Sequence, residues 1–248
     1  MAAKNKRMNI PHGYYDLLER LERPGCAICA LILHAGKQYM ESLLYEFSLD
    51  EGVQRAFRSG RGLCNYHSWL LVHQHGYSLS VSVLFESALD EVVEIMESTS
   101  PAASASGMVR LLSRSLGGGL EDRLEPEGPC LVCANVQEAE SRYVQTFAEH
   151  WSMEALQTAF RTSDGLCLPH LREVLRQLEA RTERKQLIEF HVAKWTALKA
   201  ELDQFQLKSA YNYVGEPMGA EADSWKRAVA RLTGGENAVP MLTRTKSD

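Results

Sequence analysis

Six cysteines and two of the eight histidines occur in a repeated pattern that is typical of metal ligands. A Cys-x-x-Cys pair is followed by a Cys-x-x-His pair, and the same order then occurs a second time. Two donors separated by two residues lie within one turn of backbone, and three thiolates with one imidazole suit tetrahedral zinc. We therefore predict that these eight residues are metal ligands. They are Cys26, Cys29, Cys64, His67, Cys130, Cys133, Cys167 and His170.

The spacing between the pairs favours one complete ligand set in each repeat. A helix of about twenty residues after Cys29 would extend roughly 30 Å. The remaining dozen or so residues are just long enough to return to Cys64. We therefore expect each half of the chain to bind its own metal ion through three cysteines and one histidine.

Two zinc ions are the cofactors that this ligand set favours, since closed Cys3His sites are familiar structural zinc sites. An iron-sulfur cluster is the serious alternative, because histidine ligates some clusters. Six buried core cysteines would leave the paired histidines unexplained. A thioredoxin-like thiol pair would need a βαβ setting that the sequence does not show.

The metal-ligand pattern is part of a longer internal repeat, which indicates duplication of a small domain. Thirty-four residues separate Cys29 from Cys64, and 33 separate Cys133 from Cys167. Gly-Leu-Cys precedes both ligand histidines, His67 and His170, and the segments 56–58 and 159–161 are both Ala-Phe-Arg. The offset of about 104 residues exceeds the roughly 20 to 50 residues of a solenoid unit.

Composition and charge are ordinary for a soluble globular protein. Of the 248 residues, 45% are hydrophobic and 24% are charged, and the formal net charge is −5. This balance gives no general attraction to nucleic acid. From the N-terminal residues we expect no secretory signal, and the sequence contains no uncharged apolar run of roughly 20 residues. We expect a cytoplasmic protein, and in that reducing compartment the cysteines favour metal or redox chemistry over disulfides.

Apolar residues recur every three or four positions after each Cys-x-x-Cys pair, which predicts an all-α fold. Short helices are expected at 51–58 and 154–161, and new helices around Cys64 and Cys167. Leu79 to Phe85 alternates as a strand would, but we interpret it as helical because no partner strand is found. The expected organisation is a first repeat at 1–97, a linker at 98–128 with a short helix at 109–113, a second repeat at 129–181, a long and a C-terminal helix at 182–233, and a flexible tail at 234–248.

A long helix from Thr182 to about Tyr211 is predicted to offer a surface to another helix. Ile188, Trp195 and Leu202 recur at sevenfold spacing, with His191, Leu198 and Phe205 on companion positions. Such a seam packs on a helix of the same chain or of a partner. We expect a protein partner or a homodimer there, and we interpret His191 as a core or interface histidine.

The chain resembles a bacterial and archaeal family known as domain of unknown function 6062, from about Pro24 to Gly234. The resemblance rests on the repeated cysteine and histidine motifs, on the segment 202–211 with Lys208, and on the segment 223–234, which begins Asp-Ser-Trp-Lys-Arg-Ala. That family often has proline after the first cysteine and an aromatic residue before the third. In this chain, Ala27 and Leu131 follow the first cysteine of each repeat, and Leu63 and Leu166 precede the third. The resemblance supports the fold and the ligands and implies no reaction.

No catalytic motif accompanies the metal ligands. The sequence lacks His-Glu-x-x-His, Gly-x-Ser-x-Gly and a dinucleotide fingerprint. We therefore expect a binding or adaptor module whose two Cys3His sites are structural. An iron-sulfur redox or sensor protein is the alternative, and a zinc hydrolase that uses one opened site is less favoured.

Overall fold

The computed structural model describes residues 11–99, 119–211 and 213–238. Within these ranges the chain forms eleven α-helices and one 3-10 helix, and it contains no strand. The all-α prediction is confirmed. Leu79 to Phe85 lies inside a helix, which agrees with the interpretation made because no partner strand is found in the sequence.

The helices are numbered α1 to α11 along the chain, and the 3-10 helix Ala220–Asp223 lies between the last two. They are α1 His12–Leu21, α2 Ala27–Tyr45, α3 Glu51–Ser59, α4 Asn65–Val72, α5 Ser78–Thr99, α6 Leu120–Leu124, α7 Leu131–Glu149, α8 Glu154–Thr162, α9 Leu168–Gln177, α10 Arg181–Lys208 and α11 Ser224–Thr233.

Helices at equivalent positions of the sequence repeat have similar lengths. Helices α2 and α7 each have 19 residues, and α3 and α8 each have nine. Their starts have local causes: the Asp50 side chain accepts a hydrogen bond from Val53 N at the start of α3, and Pro169 occupies the first turn of α9. The predicted short helices are therefore confirmed to within one residue at their C-terminal ends.

The chain forms two compact units that do not coincide with its two sequence halves. Unit 1 comprises 1–35 and 136–248, and unit 2 comprises 36–135. The chain passes from unit 1 to unit 2 within α2 and returns within α7. These units thus differ from the division into 1–97 and 129–181 that the repeat suggests.

Unit 1 is built around an aromatic core at the C-terminal end of α7. Trp151 stacks on Phe147, with ring centroids 5.4 Å apart, and meets Phe160 of α8 edge-on at 5.1 Å. Phe190 of the long helix α10 lies 4.6 Å from Phe160. Helix α1 packs on α8, and α11 packs on both α9 and α10. Helix α11 thereby connects α9, at whose start Cys167 and His170 lie, to the long helix α10.

Unit 2 is organised around α5, which packs on α3, α4 and α6. Phe57 of α3 and Phe85 of α5 meet edge-on, with centroids 5.2 Å apart, and Phe57 is fully buried. Leu71 of α4 and Leu84 of α5 are buried as well. The packing holds the start of α4, where Cys64 and His67 lie.

Some predicted features fall outside the described residues. The short helix expected at 109–113, most of the linker 98–128 and the end of the tail from residue 239 onward are in this group. Within the described ranges, no helix has both the length and the apolar character needed to cross a bilayer.

Candidate metal centres

The eight predicted ligands come together in two quartets, but each quartet combines the two halves of the sequence. In the quartet that we call site 1, the first Cys-x-x-Cys pair meets the second Cys-x-x-His pair. In site 2, the first Cys-x-x-His pair meets the second Cys-x-x-Cys pair. Site 1 is Cys26, Cys29, Cys167 and His170, and site 2 is Cys64, His67, Cys130 and Cys133. The prediction that each half forms its own quartet is therefore wrong.

The path of the chain explains the exchange. Cys26 and Cys29 precede the point in α2 at which the chain leaves unit 1, and Cys167 and His170 follow its return within α7. The ligands of site 2 all lie between these two crossings, in unit 2. The sequence argument considered only whether the loop is long enough for Cys64 to return to Cys29. It did not consider that the chain passes from one unit to the other within α2 and again within α7.

Site 1 is a tight and fully buried cluster. His170 Nδ1 lies 3.4 Å from Cys26 Sγ, 3.4 Å from Cys29 Sγ and 3.2 Å from Cys167 Sγ. The sulfur atoms of Cys29 and Cys167 are 3.5 Å apart. The four residues are at most 5% exposed. Four potential ligands therefore face one small volume from which water is excluded.

Site 2 has the same composition and similar spacing, but it is less buried. His67 Nδ1 lies 3.3 Å from Cys64 Sγ, 3.6 Å from Cys130 Sγ and 3.3 Å from Cys133 Sγ. Cys64 Sγ and Cys133 Sγ are 3.7 Å apart. His67 is buried, whereas the three cysteines are only partly buried.

These separations agree with four ligands around a single ion. With bonds of about 2.3 Å to sulfur and about 2.05 Å to nitrogen, tetrahedral geometry places two sulfurs about 3.8 Å apart and a sulfur about 3.6 Å from the nitrogen. All ligand atoms in each quartet lie within 4.8 Å of one another. A disulfide would bring two sulfurs to about 2.0 Å, and all six cysteines are free thiols. Both quartets could hold a metal ion.

Each ligand pair lies at the beginning of a helix, as the sequence predicts. The carbonyl groups of Cys26, Cys64, Cys130 and Cys167 all accept the first hydrogen bond of the helix that follows, at 2.8 to 3.2 Å. Each site is thus formed where two helix N-termini meet. The positive ends of the two helix dipoles stabilise negative charge on the thiolates.

A buried carboxylate supports the histidine of site 1. Glu140 of α7 is fully buried, and its Oε1 lies 3.1 Å from His170 Nε2. With Nδ1 facing the sulfurs, Nε2–H donates to Glu140, which fixes the ring and increases its strength as a ligand. Sequence reasoning missed Glu140, although a carboxylate between Val136, Ala139 and Tyr143 on the apolar face of a helix is a detectable signal.

The C-terminal segment contributes further contacts to site 1. The N–H of Gly235, just after α11, points at Cys29 Sγ with an N to S distance of 3.3 Å. Asp164 accepts a 2.8 Å hydrogen bond from Gly25 N and pairs with Arg231 of α11 at 3.0 Å. Gly235, which lies in the segment expected to be a flexible tail, therefore contacts the site. None of these contacts has a local sequence signature.

Arg61 precedes Gly62 in the first repeat, as Asp164 precedes Gly165 in the second, but it makes different contacts beside site 2. Its guanidinium donates to the carbonyl of Arg123 at 2.8 Å and lies 3.6 Å from a carboxylate oxygen of Glu127. Glu127 N also donates to the carbonyl of Ser59 at 2.8 Å. In both sites, the turn before Gly-Leu-Cys is thus tied to the segment that precedes the Cys-x-x-Cys pair.

The electrostatics of both quartets favour a positive charge at the centre. Burial raises the pKa of the Cys26 thiol, but hydrogen bonds with Cys167 and Cys29 and the charge of His170 lower it well below its usual value. Burial lowers the pKa of His170, yet the Cys26 thiolate, both cysteine hydrogen bonds and Glu140 raise it well above the ordinary value. Burial and the charges of Cys130 and Cys64 raise the pKa of Cys133. Several thiolates this close need a proton or a metal cation between them.

His191 supports site 1 through the backbone. Its Nδ1–H donates to the carbonyl of Leu187 at 2.7 Å, and its Nε2 accepts from Leu166 N at 3.0 Å. Burial lowers the pKa of His191, and a neutral ring makes both hydrogen bonds, since one nitrogen donates and the other accepts. This agrees with its interpretation as a satisfied core histidine, and it also positions the residue before Cys167. His73 and His150 each contact a main-chain carbonyl one turn earlier and are not part of either quartet.

Comparison with known proteins identifies one family and no individual relative. No curated protein and no solved structure matches the chain. A family model described as a family of unknown function (DUF6062) matches residues 15–239, which is most of the chain and includes all eight candidate ligands. The chain therefore belongs to this family, as its repeated motifs suggested.

Proposed function

We propose that this protein is a helical binding module stabilised by two structural zinc ions, one in each quartet. The observation that carries this proposal is the convergence of three cysteine sulfurs and one imidazole nitrogen on one small volume, twice. Each ion would join a Cys-x-x-Cys pair from one repeat to a Cys-x-x-His pair from the other. Such an ion supplies folding free energy, on the order of 10 kcal/mol for structural zinc.

The spacing of the ligands supports a single ion over an iron-sulfur cluster. A cluster distributes its protein ligands over two or four iron atoms, so its ligand atoms lie farther apart than atoms that share one ion. In the two quartets, each imidazole nitrogen lies 3.2 to 3.6 Å from the three sulfurs, and all ligand atoms lie within 4.8 Å of one another, which agrees with one tetrahedral centre.

A structural role is supported by the number of protein ligands. Catalytic zinc usually has three protein ligands and one open position for water. Both quartets offer four, and Glu140 holds His170 in place. A hydrolytic zinc would require that water replace His67 or His170. The free thiols that such sites use are best maintained in the reducing cytoplasm, where we place the protein.

Metal analysis with an absorption spectrum of freshly, anaerobically purified protein tests the proposal. We expect a colourless protein with two zinc ions per chain. Chelation under reducing conditions should then remove much of the helical circular dichroism. A brown protein with broad visible charge-transfer bands would reject zinc in favour of a cluster, and a stably folded metal-free protein would reject both.

We further propose that the exposed face of α10 binds a second copy of the chain. Part of the predicted seam is used inside unit 1, since His191 and Leu198 are buried and α10 packs on α11. Ile188 and Val192 remain 44% and 59% exposed, one turn apart. Lys185 and Glu189 beside them carry opposite charges, 3.6 Å apart, so this face does not repel a copy of itself.

Light scattering coupled to size-exclusion chromatography tests this surface. We expect twice the chain mass for the unmodified protein and a single chain mass for Ile188→Glu with Val192→Glu. The control is Val229→Glu, which changes an equally exposed residue of α11 and should leave the dimer intact. A monomeric unmodified protein would refute the proposal.

A further inference from the structure

Sites 1 and 2 have the same ligands but different surroundings. Site 1 is fully buried, whereas all three cysteines of site 2 are partly accessible. Access and thiolate character together decide which cysteines react with oxidants. The two metal centres are therefore not equivalent in their expected reactivity.

The main-chain contact that site 1 receives from the C-terminal segment has no counterpart at site 2 among the residues that the structure describes. The backbone N–H of Gly235 donates to Cys29 Sγ, whereas within the described part of the chain we find no main-chain donor to Cys133, the equivalent cysteine. Hydrogen bonds to a thiolate sulfur reduce its nucleophilicity, so Cys29 is protected in a way that Cys133 is not.

The closest sulfur pair described for site 2 has one cysteine from each helix that forms the site. Cys64 Sγ at the start of α4 and Cys133 Sγ in the first turn of α7 are 3.7 Å apart. A bond between them would need a movement of about 1.7 Å to reach the roughly 2.0 Å of a disulfide. An ion that bridges them keeps them apart, and its loss permits the approach.

We propose that site 2 is a peroxide-reactive metal centre that releases its ion when Cys64 and Cys133 form a disulfide, while site 1 retains its ion. This inference rests on the zinc sites of the proposed function. One thiolate attacks a peroxide oxygen, the O–O bond breaks, and a sulfenic acid and water form. The second thiolate then attacks the sulfenic sulfur, and hydroxide leaves as water after protonation. In total, two thiolates, hydrogen peroxide and two protons give one disulfide and two water molecules, with release of the metal cation.

The experiment uses the full-length protein loaded with two zinc ions. Hydrogen peroxide is added under argon, a zinc-binding dye reports release, and aliquots are quenched with an alkylating reagent for peptide mass spectrometry. We expect one equivalent of zinc to appear about tenfold or more faster than the second. The fast phase should coincide with a Cys64–Cys133 link, and a thiol reductant with added zinc should reverse it.

Several results would overturn this inference while leaving the proposed function intact. These are release of both ions at one rate, earlier oxidation of Cys26, Cys29 or Cys167, and fast release without a link between Cys64 and Cys133. A chain purified without zinc would overturn the proposed function and this inference together. Because the protein carries no substitution, a folding defect cannot produce any of these outcomes.

Discussion

Gly62 and Gly165 occupy the same position in the two repeats and adopt the same unusual backbone conformation. Their φ angles are +92° and +79°, in the left-handed region that favours glycine. Each begins a Gly-Leu-Cys segment and turns the chain so that the following cysteine starts a helix. The repeated glycine is therefore part of the ligand motif, although it binds nothing itself.

Replacing Gly165 with alanine should destabilise unit 1 by about 2 kcal/mol or more. A left-handed backbone costs a non-glycine residue about 1 to 2 kcal/mol. An added Cβ would also lie 2.9 Å from Phe190 Cε1 and 3.1 Å from His191 Nε2. Chemical denaturation of the metal-loaded protein measures the loss. The control Gly25→Ala has φ +95° but meets no atom within 4 Å, so it should cost less; equal losses would contradict the crowding argument.

Replacing Glu140 with glutamine should weaken metal binding at site 1 by about tenfold or more. The glutamine oxygen still accepts the hydrogen bond from His170, so the change removes mainly the negative charge. Competition with a chromophoric chelator measures the affinity of each site. Glu138→Gln, on the exposed side of the same helix, is the matched control and should change nothing. Unchanged affinity in Glu140→Gln would show that the carboxylate does not tune the site.

At the scale of the elements, a nearly buried ion pair contributes to the contact between the C-terminal segments. Lys208 at the end of α10 lies 2.7 Å from Glu221 in the 3-10 helix, and Gly219 N donates to the same carboxylate oxygen at 2.8 Å. These hydrogen bonds lower the pKa of Glu221 to about 2. The pair connects the end of α10 to the 3-10 helix that leads into α11.

Glu221→Gln should loosen the 3-10 helix and α11 at neutral pH, with faster amide hydrogen exchange in both. Because the folded pKa of Glu221 lies below its ordinary value of 4.5, its contribution is complete above that pH and is lost as the pH falls toward about 2. The difference between the variant and the parent should therefore shrink over that interval. A difference that grows on acidification would contradict this assignment.

The helices themselves were largely predictable from sequence, whereas their long-range contacts were not. The apolar period after Cys29 and Cys133 gave α2 and α7, and the glycine and cysteine motifs marked the starts of α4 and α9. The Gly235 contact with Cys29 spans 206 residues and uses a backbone N–H, which every non-proline residue has. Such a contact leaves no trace in residue type.

In the molecule as a whole, the two repeats exchange ligand pairs. The sequence identified all eight residues that form the quartets, but equal spacing in the two halves is compatible with either pairing. The pairing depends on where the chain passes between the compact units, and both crossings lie within helices α2 and α7, where no glycine or proline cluster marks a boundary. Joining the halves through both sites would make the folding of each unit depend on both repeats.

Zinc content of two double variants tests this exchange most directly. Cys26→Ala with Cys167→Ala removes two ligands from site 1 alone, whereas Cys26→Ala with Cys64→Ala removes one ligand from each site. After dialysis against a mild chelator, we predict that the first variant keeps one zinc ion at full affinity and that the second keeps none at full affinity. The opposite pattern, with one tightly bound ion only in the Cys26 and Cys64 variant, would contradict the account.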